Sequence, residues 1–236
     1  MKDVLDIHTH TLISGHAYNT IMEMAQAARE KGLELLGITD HAPKMPGGPH
    51  RFYFDNIKVM PREINGMPVL FGTEINICDF DGNLDLTEST LRNLDVVIAS
   101  LHLPCIKPGS IEENTKAIIA AMKNPYVNII GHPDDGRYPV DMEQIVYVAK
   151  EEHKLLELNN HSLDPTGTRT NAEENDIRML EYCVKYQQPI ILGSDAHCMW
   201  DIGNHALAID LLERIKFPEE LVVNRSVDEF LKYIKK

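Results

Sequence analysis

The chain has 236 residues, a length typical of one α/β barrel, and 43% are hydrophobic and 25% charged, enough apolar material for a core that needs no disulfide or structural metal. A net charge of −13 argues against broad binding to nucleic acid or anionic membrane, which needs a basic face; a bound metal cluster reverses the field locally, so an anionic substrate stays open. Cys78, Cys105, Cys183 and Cys198 form no CxxC pair, no apolar run approaches the roughly 18 residues of a membrane span, and MKDVLDIHTH does not read as a signal peptide, so a soluble, cytoplasmic protein is expected.

Short apolar, β-branched runs alternate with amphipathic stretches from end to end. The run Val4–Ile7 is followed by a helical pattern over Thr20–Lys31, closed by Gly32 after the basic turn of Arg29 and Lys31. Leu35–Thr39 comes next, then a Pro- and Gly-rich stretch, Ala42–Asp55, that reads as a loop over one end of the fold. Runs at Val69–Gly72 and Val96–Ala99 precede a helix over Ile111–Lys123. Val127–Ile130 precedes a helix over Met142–His153, whose start is acidified by Asp141 and Glu143. Leu155–Leu158 precedes a helix over Ala172–Tyr186, and Pro189 closes that helix before the last run, Ile190–Leu192. Helices over Ala206–Ile215 and Val227–Ile234 end the chain, the second with capping-box spacing at Ser226 and Glu229. Near-continuous apolar strands separated by helices indicate a parallel sheet covered on both sides. With no linker or low-complexity tract, the expectation is one α/β domain over residues 1–236, a closed or nearly closed barrel, with an open doubly wound sheet as the alternative.

The chemistry lies where the runs end. Six of the seven terminate in DIHTH (His8, His10), TDH (Asp40, His41), GTE (Glu74), SLH (His102), GHP (His132) and GSDAH (Asp195, His197). In a parallel barrel these ends share the C-terminal face, where barrel enzymes place their sites. His8 and His10, two apart, point to one side of an extended strand, and Asp195 and His197 repeat the spacing; His16 lies in the first loop, close enough to join. A lone buried histidine is more often a hydrogen-bonded core residue than a ligand. Packing this many polar groups on one face without a cation would instead cost several kcal/mol per unpaired group. Imidazoles with a few carboxylates suit zinc first, and manganese or iron, and a single ion needs only three or four ligands, so two or three divalent ions are expected.

These motifs together, with GPHRFYF, GTEINICDFDG, ELNN and GSDAH, resemble the PHP (polymerase and histidinol phosphatase) superfamily, above all its stand-alone YcdX-type phosphatases, over essentially all 236 residues. The resemblance implies a distorted seven-stranded (β/α)7 barrel holding three metals. The first would take His8, His10, Glu74 and Asp195; the second His102 and His132, with Glu74 bridging; the third His16, His41 and His197. The resulting expectation is a phosphomonoesterase acting on a small phosphorylated metabolite, with a hydroxide held between metals as nucleophile.

Around the ligands, Asp40 is a candidate to orient a ligand or a leaving-group water, with a structural cap as the plain reading. Asn159, Asn160 and His161 are candidates for substrate or ligand contacts. Lys44, Arg51, Arg137 and Arg169 are candidates to grip phosphate against the plain reading of solvated loop charges, and His50 shares their loop. His153 reads as a surface residue, His205 as structural at a helix start, and the cysteines as packing. The alternatives are a phosphodiesterase or exonuclease of the same superfamily, an amide or lactone hydrolase, and a non-catalytic metal-binding module. The charge balance opposes a long nucleic-acid substrate, and no lysine suited to bridge metals ends the fourth run.

Overall fold

The computed structural model describes residues 2–234. Seven parallel strands run round a nearly closed barrel: β1 (Leu5–Asp6), β2 (Leu35–Ile38), β4 (Met67–Asn76), β5 (Val96–Ser100), β6 (Ile129–Ile130), β7 (Leu155–Asn159) and β8 (Ile190–Gly193). An eighth, β3 (Glu63–Ile64), pairs antiparallel with β4 outside the barrel order. The main helices are α1 (Ile21–Glu30), α2 (Phe52–Asn56), α3 (Glu88–Leu91), α4 (Ile111–Met122), α5 (Met142–Glu151), α6 (Ala172–Tyr186), α7 (Ala206–Ile215) and α8 (Val227–Leu231). The barrel, rather than the open sheet, is what the chain forms. Among the described residues no helix is long and apolar enough to cross a membrane.

Local signals set the helix ends. Thr20 and Glu23 form a capping box on α1, and Ser110 and Glu113 form another on α4. Gly32, at φ 79°, takes the left-handed position after α1, and the amides of Gly32 and Leu33 bond back to Arg29 and Ala28, as a Schellman cap requires. Asp141 caps α5 through the Gln144 amide, and Ser226 caps α8 through that of Glu229.

Two expectations need correction. The stretch Ala42–Asp55 is not loop throughout, because α2 begins at Phe52 and buries Phe54. The third run is also far longer than Val69–Gly72. Asn65 and Gly66, at φ 52° and 78°, make a two-residue hairpin turn that pairs β3 with the start of β4. At its other end β4 continues through Glu74 to Asn76, paired to β5 as far as Ser100. Polar residues there lie in the strand, not beyond it.

Strand alternation sorts two cores. Leu5, Ile7, Leu35, Val96, Ile98, Ile129, Leu155 and Ile191, from strands all round the sheet, pack with Phe230 of α8, so they fill the barrel interior with α8 closing its floor. Leu36, Ile38, Val97, Ala99, Leu156, Leu158 and Leu192 point the other way, under the helices. β1 and β8 form no ladder. Asn224 fills the gap: its side chain accepts from Leu192 N at 2.7 Å and donates to Leu5 O at 3.1 Å and Leu192 O at 3.0 Å. Nearer the strand ends an isolated parallel bridge, Thr9 to Ala196, completes the closure and brings DIHTH beside GSDAH.

Candidate metal centre

The strand ends deliver their polar side chains to one point on the C-terminal face. Glu74, 1% exposed, is the hub. Its Oε1 lies 2.8 Å from His132 Nε2, 3.0 Å from His102 Nε2 and 3.5 Å from His8 Nε2. Its Oε2 lies 2.7 Å from His41 Nδ1 and 3.7 Å from His10 Nε2. Asp195 Oδ1 lies 3.2 Å from His10 Nε2 and 3.6 Å from His8 Nε2. Outside this group, His197 Nε2 and His16 Nε2 are 3.0 Å apart, and their rings stack. All nine side chains singled out in the sequence thus come together.

The residues fit a cation cluster. His8 Nε2, His10 Nε2, His41 Nδ1 and Glu74 Oε2 are buried and lack a well-formed hydrogen bond, an arrangement costly for polar atoms unless an ion satisfies them. Three overlapping groups, His8–His10–Glu74, His41–Glu74–His102 and His10–His41–His197, each gather donor atoms within 4.8 Å. The far side of several rings is held: His8 Nδ1 by Glu157 at 2.6 Å, His102 Nδ1 by Asn76 Oδ1 at 2.8 Å, His10 Nδ1 by Ser14 Oγ at 3.2 Å and His197 Nδ1 by the Asp195 carbonyl at 2.9 Å. Such outer contacts fix the ring and leave the other nitrogen to ligate. Two of the nine, His132 at φ 31° and Asp195 at φ 55°, sit in the left-handed region that non-glycine residues rarely adopt, which is strain of the kind stored at functional sites.

Charge is distributed to match. Burial opposes a charged Glu74, but His102, His8 and His41 outweigh it and hold the carboxyl well below its ordinary range. Asp195, pushed up by burial, is brought well below by His8, His10 and Arg169. Burial, then His41 and His197, keep His10 well below the ordinary histidine range, in the neutral form that binds cations. His8 goes the other way: burial is outweighed by Glu157, Asp195 and Glu74, so a cation at its Nε2 competes with a proton.

A cavity of about 460 Å³ opens over the cluster, walled by Met45, Arg137, Asn160, His161, Arg169 and Asn204 among others. Arg169 is almost buried, its Nη2 on Asp195 Oδ2 at 3.0 Å and its Nη1 on Ser162 Oγ at 3.0 Å and Asn159 Oδ1 at 3.2 Å. Arg137 pairs with Asp135, and His161 is exposed at the rim. Asn160 has its oxygen engaged, accepting from the Leu207 and Ala208 amides at the start of α7. Arg51 does not line the cavity; it is half exposed and pairs with Asp55 one turn along α2, at 3.1 Å. Lys44 and His50 are also absent from the wall. Asp40, buried beneath the cluster, accepts from Thr11 N, Ser14 Oγ and Tyr53 Oη, and through Ser14 it stands behind His10. Sequence reasoning missed Ser14, Asn76 and Glu157. Glu157 alone had a readable signal, as the one charged residue within the apolar run of β7.

A parallel barrel whose strand ends converge on a carboxylate ringed by imidazoles defines a metal-dependent hydrolase. The PHP domain model matches residues 6–163, and the PHP-associated model matches residues 174–236. A probable phosphatase of Clostridium novyi (strain NT) is 49% identical over 235 residues, covering 100% of this chain and 96% of the relative. One from Clostridium botulinum (strain Hall) is 48% identical over 235 residues, with 100% and 96% covered. One from Caldanaerobacter subterraneus subsp. tengcongensis is 49% identical over 235 residues, with 99% and 92% covered. Among solved structures, histidinol phosphate phosphatase from Lactococcus lactis, complexed with zinc, L-histidinol and phosphate, has a TM-score of 0.65 over 92% of this chain and 95% of its own, at 21% identity, a likeness of fold. The chain belongs to the PHP family. Its class there is metal-dependent phosphatase.

Proposed function

We propose that the protein hydrolyses a phosphomonoester of a small metabolite at a centre of three divalent cations. The observation that carries this is the set of buried imidazole and carboxylate donors closing on Glu74 with no better partner than an ion. His8, His10, Glu74 and Asp195 would hold the first ion, His102 and His132 with Glu74 the second, and His16, His41 and His197 the third. Zinc suits this donor set, as do manganese and iron, and zinc is bound in the Lactococcus lactis neighbour. Bound divalent ions supply an activated water and neutralise phosphoryl oxygens.

The chain's own residues do the rest. Arg169 and Arg137 present guanidinium groups at the cavity wall, where planar donors grip phosphate. Asp40, through Ser14, keeps His10 aimed at the cluster. Asn160 and His161 face the leaving group. The cavity volume suits a small molecule rather than a polymer, and the −13 charge opposes a long nucleic acid, so a monoester is favoured over a nuclease substrate. Four free cysteines accord with a reducing compartment such as the cytoplasm.

The test is hydrolysis of an aryl phosphomonoester and an aryl phosphodiester by protein as isolated, chelated, and reloaded with zinc or manganese. Monoester turnover lost on chelation and restored by metal is the expected result. Faster diester turnover would move the assignment to a phosphodiesterase. No turnover in any state, with metal still bound, would leave a metal-binding module.

A further inference from the structure

We propose that Glu157 is a positioning residue shared by two cation subsites, one carboxylate that sets the His8 ring and the His132 backbone together. The inference rests on His8 and His132 being ligands of different ions. Glu157 lies on the inward side of β7, between Leu155 and Asn159, and is 1% exposed. Its Oε1 accepts from His8 Nδ1 at 2.6 Å, which places the ring proton there and leaves Nε2 aimed between Glu74 and Asp195. Its Oε2 accepts from the His132 amide at 2.8 Å and from Asn159 Nδ2 at 3.1 Å. His132 is held at φ 31°, and from that backbone its Nε2 lies 2.8 Å from Glu74 Oε1. The same carboxylate therefore fixes a tautomer at one ligand and a strained main chain at another.

The space for this carboxylate is reserved by glycines. A Cβ on Gly193 would overlap Glu157 Oε1, and one on Gly131 would overlap Ser100 Oγ and stand 3.5 Å from Glu157 Oε2. Among the described residues, the one cationic or potentially cationic side chain within ion-pair distance of Glu157 is that of His8. A carboxylate that only satisfied buried donors would support all ligands alike through general stability. One that positions His8 and His132 acts on their two ions and spares the third.

The experiment is zinc titration of Glu157→Gln against competing chelators, with total metal counted per chain and the metal-free melting temperature recorded. The first and second ions are expected to weaken by about 10- to 100-fold while the ion on His16, His41 and His197 stays within about twofold. All three unchanged, or all three weakened alike, would overturn the assignment. In a His8→Asn background, Glu157→Gln should still weaken the ion on His102 and His132 by about tenfold. Disappearance of that effect would refute the link through His132. If the glutamine variant does not fold, Glu157→Asp keeps the charge but withdraws it by one methylene, and carries the same expectation; wild-type affinity in it overturns the proposal. No substrate enters these titrations, so a wrong reaction and a wrong role for Glu157 give separate results.

Discussion

His205 is 1% exposed, with Nδ1 on Asp3 Oδ2 at 2.6 Å and Nε2 facing Asp6 Oδ1 at 3.6 Å. Burial alone would lower its pKa, but Asp3 and Asp6 outweigh that and raise it to about 10. Asp6 in turn accepts from Ser194 Oγ at 2.5 Å and Gly203 N at 2.8 Å, so the buried imidazolium braces the loop that carries Asp195 and His197. The folded pKa lies above the unfolded value, so the stabilisation is complete below about pH 6.5, declines above it, and is gone once pH passes about 10. Urea denaturation between pH 6 and 10 should show wild-type stability falling with pH, with a shallower fall for His205→Gln. At pH 6 the variant should be less stable by on the order of 3 kcal/mol, because it leaves the buried Asp6 and the half-buried Asp3 without their cation. Equal slopes in the two proteins would exclude a charged His205. Its place at a helix start and its structural character were legible in the sequence; its partners were not, since Asp3 and Asp6 are about two hundred residues away along the chain.

Single side chains also finish secondary structure. Asn224 stands where β1 and β8 fail to pair and satisfies Leu192 N, Leu192 O and Leu5 O, all buried. Asn224→Ala should cost about 3 kcal/mol or more, read by denaturant melts, because each orphaned group costs about 1–3 kcal/mol. The oxygen of Asn160 does similar work at the start of α7, where His205 makes no side-chain cap. Asn160→Ala should lower stability by about 1 kcal/mol, and Asn160→Asp should restore it. An elevated KM in both variants would add the substrate contact proposed for Asn160. Helix starts such as Asp141 and Ser226 were readable because a cap is local chemistry. The β3–β4 hairpin was also local, written in Asn65–Gly66, and was passed over because its strand is only two residues long.

On the scale of the molecule, the strand ends meet in a knot of buried imidazoles and carboxylates that satisfy one another poorly without ions. Ligand linkage then predicts that chelation lowers the melting temperature by roughly 10 °C, taking about 4 kcal/mol for binding near a thousandfold above Kd and about 2–4 °C per kcal/mol in a chain this long. Differential scanning calorimetry with and without chelator checks it, and an unshifted transition would mean that the cluster holds no ion in the folded protein. The fall should also be reversed by added zinc or manganese.

The sequence by itself determined the alternation of parallel strands and helices, because apolar runs and caps are local pattern, and it picked out the polar residues that meet, because a parallel sheet sends its strand ends to one face. It left a barrel and an open sheet both standing, and closure was decided by the tertiary structure. Tertiary structure alone decided which rings are held by Glu157, Asn76 and Ser14, why Arg169 is tied to Asp195 while Arg51 stands on α2 away from the cavity, and how Asn224 closes the gap between the first and last strands. Periodicity fixes which face a residue takes, whereas these contacts join residues far apart in the chain, and their distances exist only once the barrel has closed.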